Sequence, residues 1–178
     1  LEGDAPFTPS ASPSACEPCT EGLDASSFSF LLANVQGFTS KSADIAFLIE
    51  SKGFPSLVAF TETFLDKAKP AEIPGYVQIA RLDRRTGERQ GGIILFARVG
   101  FEKSIVHVGD SDVHERSFFI IHSDRGAILL ALWYRRPANN EVESIHALYD
   151  EIDKFGEGTI RTIIMGDISP LVQEKIEV

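Results

Sequence analysis

A layered α/β domain is the fold class this sequence predicts, on three observations. Short apolar runs of strand length end in polar residues. Two longer stretches carry apolar residues at helical spacing. Turn-forming clusters join neighbouring apolar runs as in hairpins. Helical stretches alternate with continuous apolar runs and hairpins in one chain, which points to central strands covered on both faces.

In chain order, residues 1–26 are rich in Pro, Ser, Ala and acidic residues and predict a disordered tail, with an ordered domain over 27–178. Phe28, Phe30, Leu31, Leu32 and Ala33 form a strand that ends at Asn34. Ser42 is expected to cap a helix running to Lys52, with Ile45, Phe47, Leu48 and Ile49 on one face and Gly53 as its stop. Leu57, Val58, Ala59 and Phe60 make a second buried strand that leads into Thr61 and Glu62. After a loop holding Pro70 and Pro74, residues 76–80 and 93–97 read as strands around a polar turn at 84–90, and 105–108 is a weaker candidate. Residues 118–122 and 128–133 flank the turn 123–126 and predict a β-hairpin. Residues 141–155 are helical by pattern, with Val142, Ile145, Leu148 and Ile152 on one stripe and Gly156 and Gly158 stopping them. Residues 162–165 form a final buried strand ending at Gly166 and Asp167. No internal repeat marks a solenoid.

Composition bounds the function. With 178 residues, 43% hydrophobic and 24% charged, the chain has room for one domain with a sizeable core. No apolar run is long enough to cross a membrane, and no secretory signal pattern opens the chain. A net charge of -9 counts against broad, non-specific attraction to nucleic acid. It leaves open an enzyme that grips a few phosphates in one groove. Positive charge is concentrated at Arg81, Arg84, Arg85 and Arg89 and at the adjacent Arg135 and Arg136; on charge alone these are solvated loops. Cys16 and Cys19 form a lone CxxC in the Pro/Ser-rich tail without a second ligand pair, so neither a zinc site nor a redox motif is expected.

Three polar residues recur in one structural place. Asn34, Glu62 and Asp167 each follow an apolar strand, where α/β sheets present ligand sites. Two carboxylates and an amide converging there suit one magnesium ion, which takes oxygen ligands and fills its shell with water and substrate phosphate. Such an ion polarises a phosphodiester and stabilises the leaving oxygen. On spacing alone the three are ordinary loop starts, as every α/β protein has.

The wording around them says more. The segments LLANVQGF (31–38), SLVAFTETFL (56–65), IPGYVQIARLDRRTGERQGGIILFAR (73–98), HERSFFIIH (114–122), ILLALWYRRP (128–137) and IIMGDIS (163–169) occur in order. Together the segments resemble the endonuclease/exonuclease/phosphatase superfamily, most of all the apurinic-type endonuclease domain of non-LTR, LINE-type retrotransposons. The resemblance implies a four-layer α/β/β/α sandwich of mixed sheets and metal-dependent cleavage of a nucleic-acid phosphodiester. Magnesium or manganese would be the cofactor. Carried over by position, Glu62 is a metal ligand and Asn34 orders the metal site. Tyr134 lies beside the scissile phosphate, Asp167 orients or activates the attacking water, and Arg84 and Arg135 bind substrate. The Gly91–Gly92 turn belongs to the same loop region, and Glu115 is expected to play a structural role near the site.

Two departures bear on activity. Where the family has GDFN this chain has GDIS, so Ser169 stands in place of an Asn that helps bind phosphate. The family's late Asp–His pair and last strands have no match before Val178, and His107, His114, His122 and His146 all lie too early to replace that pair. The sequence therefore predicts a C-terminally truncated domain with an incomplete second sheet, cutting DNA weakly or not at all. The alternatives are a non-catalytic remnant or interaction fragment of the same fold, and a phosphoinositide or sphingomyelin phosphodiesterase. DNA is the expected partner, with no membrane. A larger reverse-transcriptase polyprotein is the expected context, and a nuclear location follows if the substrate is chromosomal DNA.

Overall fold

Eight strands form two sheets in a computed structural model that describes residues 28–84, 90–135 and 141–167. The expected tail with Cys16 and Cys19, Arg85, Arg89, Arg136, Ser169 and the rest of the sequence after Asp167 lie outside the described residues. The first sheet holds β1 (Phe30–Asn34), β2 (Leu57–Thr61), β3 (Tyr76–Leu82) and β4 (Ile93–Arg98) in the order β1-β2-β4-β3. The second holds β5 (Ile105–Asp110), β6 (Glu115–Ser123), β7 (Gly126–Tyr134) and β8 (Arg161–Asp167) in the order β5-β6-β7-β8. In each sheet one outer pair is parallel, β1 with β2 and β7 with β8, and the remaining pairs are antiparallel.

Two faces of each sheet are accounted for by alternation. Leu57, Ala59, Ile93 and Leu95 of the first sheet meet Phe119, Ile121, Leu130 and Leu132 of the second in a dry core between the sheets. Their sequence neighbours Val58, Phe60, Ile94 and Phe96 point the other way, onto Ile45 and Ile49 of helix α1 (Ser42–Ser51). Phe118, Leu129, Ala131 and Trp133 on the outer face of the second sheet take Leu148, Ile145 and Ile152 of helix α2 (Glu141–Phe155). The layer order is α1, first sheet, second sheet, α2: a four-layer α/β/β/α sandwich of two mixed sheets.

Several expectations need correction. Ser42 does not cap α1: the turn Thr39–Lys41 is already helical when the chain reaches it, and Lys41 holds the cap position without a side-chain bond. Only Ile45 and Ile49, four residues apart, are buried on that helix, whereas Phe47 is 72% exposed because it lies on the far side of the cylinder. Val142 likewise turns outward from α2. The last strand, expected to be buried, has Arg161, Thr162 and Ile164 exposed, since among the described residues β8 has a neighbour on one side only. The hairpin forms as expected, with Ser123 opposite Gly126, but both strands run longer than their apolar cores and so pair Glu115 with Tyr134.

Candidate active site

Strand polarity gathers the polar residues at one end of the sandwich. β1, β2, β7 and β8 end there and β4 and β6 begin there, as the register pairs Asn34 with Thr61, Thr61 with Ile93, Glu115 with Tyr134, and Tyr134 with Asp167. Hydrogen bonds between side chains cross from one sheet to the other at this end. Asn34 Nδ2 donates to Asp167 Oδ2 at 2.6 Å, joining residues 133 positions apart. Tyr134 OH donates to Glu62 Oε1 at 3.1 Å. The Asn34 amide is fixed at its other end too, where Oδ1 accepts from Gln36 N at 3.2 Å.

The backbone at Glu62 is unusual. Glu62 (φ 51°) and Phe64 (φ 54°) both occupy the left-handed region, which costs a non-glycine residue on the order of 1–3 kcal/mol. Hydrogen bonds on both flanks hold them there. On one side Gly37 N donates to Glu62 O and Phe38 N to Thr63 O, each at 2.9 Å. On the other, Phe64 N donates to Gly91 O at 3.1 Å and Thr63 N to Gly92 O at 3.4 Å. Gly91 and Gly92 have φ of 104° and 95°, values that favour glycine. The chain thus reverses its strand geometry at the residue that carries the carboxylate, and the side chain meets Tyr134 of the opposite sheet.

Tyr134 is only 3% exposed. Burial pushes its phenol well above the usual tyrosine range, and the hydrogen bond to Glu62 and the negative charges of Glu62, Glu115 and Asp167 push it further. It therefore stays a proton-bearing donor through neutral pH. The same field that resists a phenolate favours a cation. Among the described residues no group of three or more His, Cys, Asp or Glu side chains is placed to chelate a metal unaided. The donors at hand, carboxylates of Glu62 and Asp167 and the amide oxygen of Asn34, are all oxygens. That set fits a hard cation such as magnesium, which needs only one or two carboxylates and keeps several waters.

The arginines divide. Arg84 Nη2 lies 3.7 Å from Asp66 Oδ2, on the loop that follows Glu62. Arg81 is committed to that loop's shape, donating to Asp66 O and to Lys69 O and pairing with Asp83. Arg135 is 5% exposed, packed within the protein, and its backbone N donates to Asp167 O at 3.1 Å. A cavity of about 310 Å³ adjoins Asn34, between β1 and α1, and is lined by Val35, Gln36, Lys41, Asp44 and Leu48. Sequence reasoning did not foresee the left-handed backbone at Glu62 or the way Glu115 seats against the glycine pair. Adjacent glycines before a strand were the available signal.

No family model and no curated protein matches the sequence. Solved structures do. The chain is similar to the endonuclease domain of TRAS1, a telomere-specific non-LTR retrotransposon, at 14% identity and a TM-score of 0.54, covering 79% of this chain and 59% of that one. It is similar to an AP endonuclease from Archaeoglobus fulgidus at 14% identity and a TM-score of 0.53, covering 79% and 57%. It is also similar to the 3′ phosphatase NExo from Neisseria, bound to a product DNA hairpin, at 13% identity and a TM-score of 0.53, again covering 79% and 57%. The chain has the endonuclease/exonuclease/phosphatase fold and spans under two thirds of the length of these structures.

Proposed function

We propose that this chain is a divalent-metal-dependent phosphodiesterase of the endonuclease type, which nicks DNA through Asn34, Glu62, Tyr134 and Asp167. The observation that supports this most is the double bridge between the sheets, Asn34 to Asp167 and Tyr134 to Glu62, at the carboxyl ends of the strands. It gathers an amide, two carboxylates and a phenol in a fold shared with an endonuclease domain and an AP endonuclease.

Glu62 and the Asn34 amide oxygen would hold magnesium or manganese, and a bound ion there supplies polarisation of the phosphodiester and stabilisation of charge on the leaving oxygen. Asp167 is fixed by the Asn34 amide, and its free lone pairs accept the proton of the attacking water. The water oxygen forms the new bond to phosphorus, and the sugar oxygen on the opposite side departs and takes a proton from solvent. Tyr134, held protonated, keeps the Glu62 carboxylate in place beside the phosphate. Arg84, on the flank of the Glu62 loop, supplies positive charge for a neighbouring phosphate, and Arg135 backs Asp167 through its main chain. A net charge of -9 favours binding confined to the site over attraction along a broad surface. Activity on chromosomal DNA, within a reverse-transcriptase polyprotein in the nucleus, is the setting that the sequence resemblance favours.

The experiment is nicking of supercoiled plasmid by the full chain, with magnesium and with chelator. A parallel arm measures headgroup release from vesicles containing phosphoinositide or sphingomyelin. Magnesium-dependent nicking supports the reading, and headgroup release without nicking moves the substrate to lipids. Neither activity from folded protein leaves a non-catalytic relative of the fold.

A further inference from the structure

Glu115 lies outside the set of residues assigned to chemistry, yet it is 4% exposed and sits against the Glu62 segment. Its Oε2 accepts from Gly92 N at 3.3 Å. Its carboxylate fills the place where a side chain on Gly91 would be: a Cβ there would lie 2.6 Å from Oε1 and 2.8 Å from Oε2. From the other side, a Cβ on Gly92 would lie 2.3 Å from Thr63 Oγ1. The two glycines are clamped between Glu115 of β6 and Thr63 of the loop after β2, and a side chain on either would have to displace one of these two.

The clamp matters because of what the glycines hold. Their carbonyls accept the amides of Thr63 and Phe64, the two residues after the left-handed Glu62. Glu115 also stands opposite Tyr134 in the β6–β7 ladder, and Tyr134 donates to the Glu62 carboxylate. A closed path results: Glu115 to the glycine pair, to the Glu62 backbone, through the Glu62 side chain to Tyr134, and across the ladder back to Glu115. Each link is a contact, and the path spans both sheets.

We infer that Glu115 is a positioning residue for Glu62, which acts by accepting the Gly92 amide and so holds the Gly91–Gly92 turn against the left-handed segment that presents the Glu62 carboxylate. The reading of Glu62 as the working carboxylate rests on the function proposed above. The placement of Glu62 by Glu115 does not.

Two substitutions separate reach from charge. Glu115→Gln keeps the length and an acceptor oxygen for Gly92 N and removes the charge. Glu115→Asp keeps the charge and withdraws the carboxylate by one methylene. The readout independent of activity is hydrogen exchange of the Thr63 and Phe64 amides, which donate to the Gly92 and Gly91 carbonyls. Positioning predicts that both amides keep their protection in Glu115→Gln and lose it in Glu115→Asp. In the nicking assay it predicts that Glu115→Asp loses about 10²-fold in kcat with little change in KM, the scale of a displacement near 1 Å, while Glu115→Gln keeps most of its rate. The reverse order, Gln losing the protection of these amides and Asp keeping it, would show that charge alone acts and would overturn the proposal. Equal effects of the two variants, matched only by equal losses of thermal stability, would overturn it too. If the wild-type chain does not nick, the nuclease reading fails, and the amide-exchange comparison still decides the role of Glu115.

Discussion

Removal of Glu151 should destabilise the fold through the charge it leaves buried. Arg116 is fully buried beneath α2, donates to Ser144 O at 2.8 Å, pairs with Glu151 Oε2 at 2.9 Å and stacks 4.8 Å from the centroid of the Trp133 ring. Burial lowers the Arg116 pKa and the charge of Glu151 offsets part of that drop, so the guanidinium depends on its partner. Glu151→Ala leaves a guanidinium in the interior without its counter-charge, at about 3–5 kcal/mol for a buried pair broken on one side. The Glu151 side chain is 16% exposed, which puts the cost near the lower figure, about 3 kcal/mol. At roughly 2–4 °C per kcal/mol for a domain of this size, the melting temperature should fall by about 6–12 °C. Replacing both partners, as Arg116→Met with Glu151→Leu, removes the desolvated charges together and should stay within about 1 kcal/mol of wild type. Urea midpoints and thermal melts of the three proteins measure this. A Glu151→Ala protein within about 1 kcal/mol of wild type, or one no weaker than the double variant, would refute the reasoning. Arg116 follows Glu115 and Trp133 precedes Tyr134, so strand alternation places the anchor and the site on opposite faces of the same two strands.

Tyr134→Phe removes a hydrogen bond to a charged carboxylate, worth about 1.5–3 kcal/mol, so its nicking rate should fall on the order of 10–100-fold in a single-turnover assay. The same substitution should flatten the alkaline loss of stability. Folded Tyr134 keeps its proton to higher pH than an unfolded tyrosine at about 10, so its contribution is whole below that value and disappears as pH rises toward the folded value. Tyr76, pushed up to about 12 mainly by burial, acts in the same direction and should account for the loss that remains in chemical denaturation at high pH. Gly92→Ala must place a methyl 2.3 Å from Thr63 Oγ1 at a φ of 95°, and should cost at least about 1–3 kcal/mol by urea unfolding. Asn34→Asp sets a carboxylate against Asp167 where a donor stood at 2.6 Å, so one of the two should hold a proton at higher pH and the rate at neutral pH should drop, as a pH–rate profile would register.

The strands were legible because burial demands apolar runs of strand length. Leu57–Thr61 is buried at every position, and its apolar run needed no context to be read. Helix α2 was readable to its ends, with Gly156 stopping it. What the sequence hid depends on neighbours distant in the chain. The exposure of β8 follows from its having, among the described residues, a neighbouring strand on one side only, which composition does not encode. Phe47 looked like a core residue and is not, because a single aromatic does not say which side of a helix it occupies. At the site, strand ends marked Asn34, Glu62 and Asp167, yet the hydrogen bonds that join Asn34 to Asp167 and Glu62 to Tyr134 depend on how two sheets stack. The left-handed turn at Glu62 had no local signal, since neither Glu nor the flanking threonines favour it; the glycines that stabilise it lie about thirty residues on.

The most direct measurement compares the full wild-type chain with Glu62→Ala on supercoiled plasmid in magnesium, both shown to be folded by their melting curves. Slow nicking by wild type that chelator stops and Glu62→Ala lacks is the predicted result. Nicking that survives unchanged in Glu62→Ala, or a folded wild-type chain that leaves the plasmid intact, would contradict a metal-dependent phosphodiesterase site at the junction of the two sheets.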